Sequence, residues 1–334
     1  MPADYERQSA ILLGVNELLP HHPRVLTDLV AALVDRIPVV CVVTGEEQRR
    51  DLLTNLCDWG LPAHRLHCVS SRAVGLWVRD YGPSFVRRDG RVCVLDAEYW
   101  YPGRVDDDRF PTDFARLLGL ESRDVPLQVE GGNLLSNGRG FALCSTAFFA
   151  RNEPRYTQVQ ALTALCANYG FKNVACVWPL LGCKTNHADM YATFTAADTL
   201  VLGRYDPRED APNAKMLDHV ESFVKGMESG AGPLKVVRIP MPPHHDGVWR
   251  TYTNVVYAND ALIVPVYAGV DPGLEREALD TYRRLLPGRQ VIPVEATSVA
   301  RFGGGPRCVS MNVPDLGHPL RLERPPAHAA VSGA

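Results

Sequence analysis

The chain has 334 residues, 46% of them hydrophobic and 22% charged, which is enough to bury a large core in one large domain or two medium ones. Lys and Arg total 35 against 38 Asp and Glu, a net charge of -3, so no basic excess points to nucleic acid or an anionic membrane as partner. A small cationic substrate is compatible with that balance.

From the beginning of the chain, MPADYERQSAILLGV carries acidic residues and no basic stretch leading into a long apolar one, so no signal peptide is expected. The runs AILLGV (10–15) and PVVCVVT (38–44) are apolar and bounded by turn residues, which predicts buried strands. Between and after them, 21–36 and EEQRRDLLTNLCDWG (46–60) have apolar positions three and four apart and predict amphipathic helices. VCVLD (92–96) and FALCS (141–145) predict strands, 154–170 a helix closing on glycine, and DTLVLG (198–203), KVVRIP (235–240) and ALIVPV (261–266) further strands. A last helix is predicted over LEREALDTYRRLLPG (274–288). The alternation argues an α/β fold. No low-complexity linker divides the chain, so a single domain over 1–320 is expected, with a loose tail over 321–334. The apolar runs are far shorter than the roughly 20 residues that a membrane-spanning helix needs.

Nucleotide binding has little support. GVNELLP after the first strand is no GxGxxG, no GxxxxGK[ST] occurs, and GGGPR (303–307) leads into a cysteine rather than a Lys-Ser pair. The nine cysteines form no CxxC pair, which fits reduced thiols in a cytoplasm better than a disulfide scaffold or a zinc site. VDDDR (105–109) lacks the alternate spacing of a calcium loop and is expected to be a solvated turn. The histidine pairs in PPHHDG (242–247) and at 21–22 match no metal motif and are expected in loops, the first bordering the mouth of the site. No metal and no organic cofactor are called for.

The residues that can carry chemistry are Cys308 in RFGGGPRCVSMNVP, Asp80 in WVRDYGP, Glu130 in VEGGN, and His187 and Asp189 in NHAD. Cysteine supplies a nucleophile, histidine moves protons, and paired carboxylates grip a planar cation, which together suit attack on a guanidinium carbon. Each has a structural alternative. Cysteines are commonly core fillers, Asp80 before glycine and proline suits a turn, His187 could satisfy a core carbonyl, and Asp189 could be a helix N-terminal charge. Their joint occurrence favours the functional reading.

Together WVRDYGPSFV (77–86), EGGNLLSNGRG (130–140), HADMYATF (187–194), YTNVVYANDALIVPVY (252–267) and FGGGPRCVSMNVP (302–314) resemble the agmatine deiminase and bacterial peptidylarginine deiminase family of guanidino-group-modifying enzymes. The resemblance implies a five-bladed α/β propeller, with pseudo-fivefold repeats around a central active-site channel and catalysis without a cofactor. It makes Cys308 the nucleophile, His187 the general acid/base, and Asp80 and Asp189 the carboxylates that hold the guanidinium. Glu130, Trp77 and Asn254 become residues lining the substrate channel. The expected partner is a small-molecule or peptide guanidino substrate, such as agmatine, an arginine derivative or peptidylarginine, and the expected compartment is the cytoplasm.

A guanidinium is a poor electrophile because its charge is delocalised, so Asp80 and Asp189, each accepting two N–H bonds, are expected to localise that charge and fix the carbon in line with sulfur. A thiol of ordinary pKa about 8.5 is mostly protonated at neutral pH, and the bound cation favours its thiolate. The family pattern has histidine immediately before the nucleophile, whereas Arg307 stands here, and it is expected to receive a substrate carboxylate or to repel an amine. An amidinotransferase would use the same Cys-His-carboxylate set, a guanidine-binding protein would keep Asp80 and Asp189 around an inert thiol, and a cysteine peptidase suits these carboxylates less well.

Overall fold

Continuous apolar runs become the central strands of the fold, because a strand covered on both faces has no polar face to alternate. In the computed structural model, which describes residues 1–322, each central strand has an antiparallel neighbour on one side and a parallel one on the other. Gln8–Gly14 lies between Ser310–Pro314 and Val39–Val43, with His67–Ser70 added outside. Arg91–Glu98 lies between Ser84–Arg88 and Ser122–Gln128, and Phe141–Ser145 between Leu134–Ser136 and Asn173–Val177. Thr199–Arg204 lies between Ala192–Ala196 and Lys235–Pro240, and Ala261–Val266 between Val256–Ala258 and Gln290–Glu295. Five small mixed sheets of one connectivity result, an α/β fold in which the first sheet joins the two ends of the described chain.

Parallel neighbours need a crossover, and in every sheet a helix supplies it. Pro23–Leu33, Phe110–Leu118, Gln158–Tyr169, Ala211–Val224 and Pro272–Leu285 take these places, while Glu46–Asp58 leads to the extra strand of the first sheet. Gln158–Tyr169 starts later than the run from 154 predicts because Thr157 and Gln160 form a reciprocal capping box, and it stops where Gly170 turns left-handed at φ 75°. Two of the crossovers, Phe110–Leu118 and Ala211–Val224, are absent from the sequence-based expectations. Both carry proline in the first turn, and the second has Asp210 as its cap and buries Ala214, Leu217, Val220 and Val224, a spacing that was legible.

The antiparallel first strands were also not predicted. They are short and almost wholly buried, as in Leu134–Ser136 and Val256–Ala258, so neither length nor alternation marks them. Their position matters for function. Ser84–Arg88 follows WVRDYGP, Leu134–Ser136 follows EGGN, Ala192–Ala196 follows HADMY, Val256–Ala258 follows YTN, and Ser310–Pro314 follows GGGPRC. Each sheet therefore delivers one motif from the segment entering its first strand.

Some local expectations change. Asp107 of VDDDR is not solvated: it is 1% exposed, and its Oδ1 accepts from Val74 N at 2.7 Å and Gly75 N at 3.1 Å, fixing the loop ahead of Trp77. Satisfying two backbone donors at once is what draws that carboxylate inside. His21 ends the helix Val15–His21 rather than lying in a loop. His244 and His245 do lie in a loop, tied to Asp210 and Glu209, but they line no part of the cavity described below. The tail expected over 321–334 falls, from 323 onward, outside the described residues. Among the described residues no helix is long and apolar enough to cross a membrane, and no group of three or more His, Cys, Asp or Glu could hold a metal ion.

Candidate active site

Cys308 lies in the segment that enters the first-sheet strand Ser310–Pro314 and is 4% exposed. Its thiol reaches a cavity of about 410 Å³ that Trp77, Asp80, Tyr101, Glu130 and His187 also line, so four of the five motifs meet there. A side chain on Gly305 would put its Cβ 2.6 Å from Asn254 Oδ1, so only glycine admits the close approach that seats Cys308 on that amide.

Asn254, expected beside the substrate, is instead fully buried behind the thiol. Its Oδ1 accepts from Arg307 N at 2.9 Å and Cys308 N at 3.3 Å, and its Nδ2 donates to Cys308 Sγ at 3.2 Å. One amide thus orients the nucleophile and offers the sulfur a donor. Arg307, expected to receive a substrate carboxylate or to repel an amine, is likewise turned away from the cavity and is 2% exposed. Its Nε donates to Asp4 Oδ2 at 2.9 Å, and its NH1 to Asp189 Oδ2 at 2.9 Å and Gly131 O at 3.1 Å. Those acceptors occupy the fork that a substrate carboxylate would need.

Asp189 is wholly buried, with Oδ2 on Arg307 and 3.9 Å from Cys308 Sγ. Its Oδ1 has no hydrogen-bond partner among the described residues. Asp80 Oδ1 accepts from Gly132 N at 2.9 Å and lies 3.7 Å from His187 Nδ1. One oxygen of each aspartate is thus already hydrogen-bonded within the protein itself.

His187 is held from both ring nitrogens, Nδ1 toward Asp80 and Nε2 3.2 Å from Glu130 Oε2. Burial alone would lower its pKa, but the charge of Asp80 and the hydrogen bond and charge of Glu130 outweigh that and raise it to about 9, so the ring is an imidazolium at neutral pH. Asp80 is pushed up by burial and by the like charges of Glu130 and Asp189, with His187 opposing. Glu130 is driven down despite burial by His187, Tyr101 and Arg151. Cys308 is raised well above the ordinary thiol value by burial and by the negative charge of Asp189 and Asp80. These directions favour a neutral thiol and a protonated histidine lining one cavity, and a cation bound there would oppose the charges that hold the thiol neutral.

Several lining residues were missed. Tyr101 donates to Glu130 Oε1, Arg151 Nε donates to Glu130 Oε2 at 3.1 Å, and the Arg151 guanidinium stands 5.6 Å from the Tyr101 ring centroid. The mouth adds Arg104, which pairs with Glu17 and Asp107, and Lys184, which has no ion-pair partner among the described residues. The aromatic run EYWYPG was the available signal for Tyr99 and Tyr101; the cations carry no local signature.

A family model described as Porphyromonas-type peptidyl-arginine deiminase matches residues 1–314. A candidate agmatine deiminase of Streptomyces avermitilis is 26% identical over 313 residues, covering 85% of this chain and 86% of that protein. Among solved structures, a candidate arginine deiminase of Porphyromonas gingivalis superposes with a TM-score of 0.81 at 23% identity, over 94% of this chain and 98% of the other. An agmatine deiminase of Enterococcus faecalis superposes with a TM-score of 0.80 at 21% identity, over 94% and 95%. At that identity the superpositions speak for a shared fold, and the family match extends through all five motifs, the cysteine segment included. The chain belongs to the Porphyromonas-type peptidyl-arginine deiminase family, enzymes that hydrolyse C–N bonds of linear amidines.

Proposed function

We propose that this chain hydrolyses a guanidino substrate to a ureido product and ammonia through a covalent intermediate on Cys308. The observation that carries this reading is that the thiol of Cys308 and the doubly held imidazole of His187 line one cavity with Asp80 and Glu130, and that the buried Asp189 beside the thiol keeps one carboxylate oxygen, Oδ1, unpartnered. A guanidinium entering that cavity supplies the positive charge that burial and two aspartates otherwise deny the thiolate. As the cation binds, the thiol proton leaves to solvent; the Cys308 thiolate then bonds to the guanidinium carbon while the C–N bond breaks and the His187 imidazolium gives its proton to the departing nitrogen, so that ammonia departs and an S-alkylthiouronium remains. Neutral His187 then takes a proton from water as its oxygen adds to the same carbon, the C–S bond breaks, and the ureido product departs. Glu130 and Asp80 orient the imidazole through both steps.

The cavity is acidic at its floor and carries Arg104 and Lys184 at its mouth. That distribution supports a guanidino compound whose far end is anionic over one ending in an amine. The five repeats of one sheet connectivity support a single domain over 1–320 built as a five-bladed propeller, with the motif-bearing segments facing a common channel.

The test is a ureido-product and ammonia assay with free arginine, guanidino acids, agmatine, and peptides with internal or C-terminal arginine, using Cys308→Ala as control. Cysteine-dependent turnover with carboxylate substrates ahead of agmatine is expected. Turnover that survives Cys308→Ala sinks the mechanism, and a preference for agmatine sinks the assignment of the mouth. Transfer of the amidino group to an added amine, in place of ureido formation, would make the enzyme an amidinotransferase.

A further inference from the structure

Four charged side chains are packed together behind the nucleophile, and three of them, Asp4, Arg79 and Arg307, lie away from the cavity. Asp4 Oδ2 accepts from Arg307 Nε at 2.9 Å, and Asp4 Oδ1 lies 3.7 Å from Arg79 NH1. Arg307 NH1 donates to Asp189 Oδ2 at 2.9 Å, and that oxygen is 3.9 Å from Cys308 Sγ. Arg79 also donates to Arg307 O at 3.3 Å and to Asn312 Oδ1 at 2.8 Å. The side chains of Arg79 and Arg307 are each 3% exposed, Asp189 is 0% exposed, and Asp4 is 23% exposed. Two cations and two anions balance, so the cluster carries no net charge. A buried guanidinium with its fork divided between two carboxylates cannot turn without stranding one of them.

We propose that Asp4 and Arg307 are positioning residues for the reaction: Asp4 anchors the Arg307 guanidinium, which occupies one oxygen of Asp189 and leaves Oδ1 as the single acceptor this carboxylate offers the substrate. The inference rests on Cys308 being the nucleophile of the reading above. Neutralising part of the Asp189 charge has a second effect. It limits how strongly that carboxylate opposes thiolate formation 3.9 Å away. Asp4 thereby acts on the thiol through two intervening side chains, although it touches neither cavity nor substrate.

The two members of the clamp are expected to move the thiol in opposite directions. Asp4→Asn leaves the cluster one charge more positive, which lowers the pH at which Cys308 becomes reactive, and it frees both arginines to draw on Asp189, raising KM by about tenfold. Arg307→Gln leaves the cluster one charge more negative and raises the pH of reactivity. The experiment measures the rate of Cys308 alkylation by 2-chloroacetamidine against pH in the full chain, with the labelled residue located by peptide mass spectrometry. kcat and KM for the best guanidino substrate are measured alongside. Asp4→Glu, which keeps the charge, is expected to recover most of the loss seen in Asp4→Asn.

Should Asp4→Asn fail to fold, Arg307→Lys carries the test. An ammonium keeps the charge but cannot hold Asp4 and Asp189 in one plane, so KM rises while the alkylation profile stays in place. Folded variants that label at Cys308 with parent-like pH profiles and KM overturn the positioning role and leave the deiminase reading standing. A parent chain that labels at Cys308 but forms no ureido product overturns the deiminase reading, and the opposed shifts in alkylation still decide whether the clamp controls the thiol.

Discussion

Glu130→Gln isolates the electrostatic support of the imidazole. Glu130 Oε2 lies 3.2 Å from His187 Nε2, and both side chains are nearly buried, 7% and 6% exposed. At an effective dielectric of roughly 20, two unit charges at that distance attract by about 5 kcal/mol. Arg151, 3.1 Å from the same oxygen, already offsets part of the carboxylate charge, and the amide of glutamine still accepts a hydrogen bond. The expected fall in the His187 pKa is therefore about 1 to 2 pH units from its value near 9. The assay is a titration of the His187 ring nitrogens by NMR, assigned with His187→Ala, in parent and variant. Because the folded pKa lies above the ordinary 6.5, the pairing stabilises the fold fully below pH 6.5 and that contribution fades as pH rises through about 9. That contribution is the net of every group around the ring, Asp80 and Glu130 foremost, against the cost of burial. A parent pKa below 7, or one unmoved by the substitution, refutes the reasoning.

Asn254→Ala removes the donor to sulfur and strands the Arg307 and Cys308 amides, so kcat should drop about 10- to 100-fold with a smaller change in KM; steady-state kinetics showing only a KM effect would contradict that role. Gly132→Ala would place a Cβ 2.5 Å from His187 Nδ1 and 2.9 Å from Asp80 Oδ1. Displacing both groups should lower kcat/KM by about 100-fold while melting changes by only a few degrees, and activity within threefold of the parent would show that the ring yields freely. Lys184→Ala is expected to narrow the preference for carboxylate-bearing over amine-bearing guanidines by about fivefold at low salt, less at high salt; an unchanged ratio of kcat/KM would remove Lys184 from substrate recognition.

The five central strands were legible because each is a short apolar run that no surface position can accommodate, as in FALCS and ALIVPV. The motifs were legible because glycines and charged residues recur together just before a strand, and these residue types imply the same chemistry whatever the fold. The short first strands Leu134–Ser136 and Val256–Ala258 were not, since three buried residues hold no period and become strands only by pairing with a partner.

Nor could the sequence assign Arg307 its partners. Its fork is divided between Asp4, 303 residues away, and Asp189, 118 residues away. Lacking those contacts, an arginine beside a nucleophile reads as a receptor for substrate. Asn254 was recognised, but its place behind sulfur rather than beside substrate follows from how the Val256–Ala258 segment meets the Gly305–Cys308 turn. The chain's own chemistry determined which groups react. Only the tertiary structure decided which of them face the cavity and which are committed to one another, because burial makes every charge choose a partner and the nearest partner is set by packing across sheets.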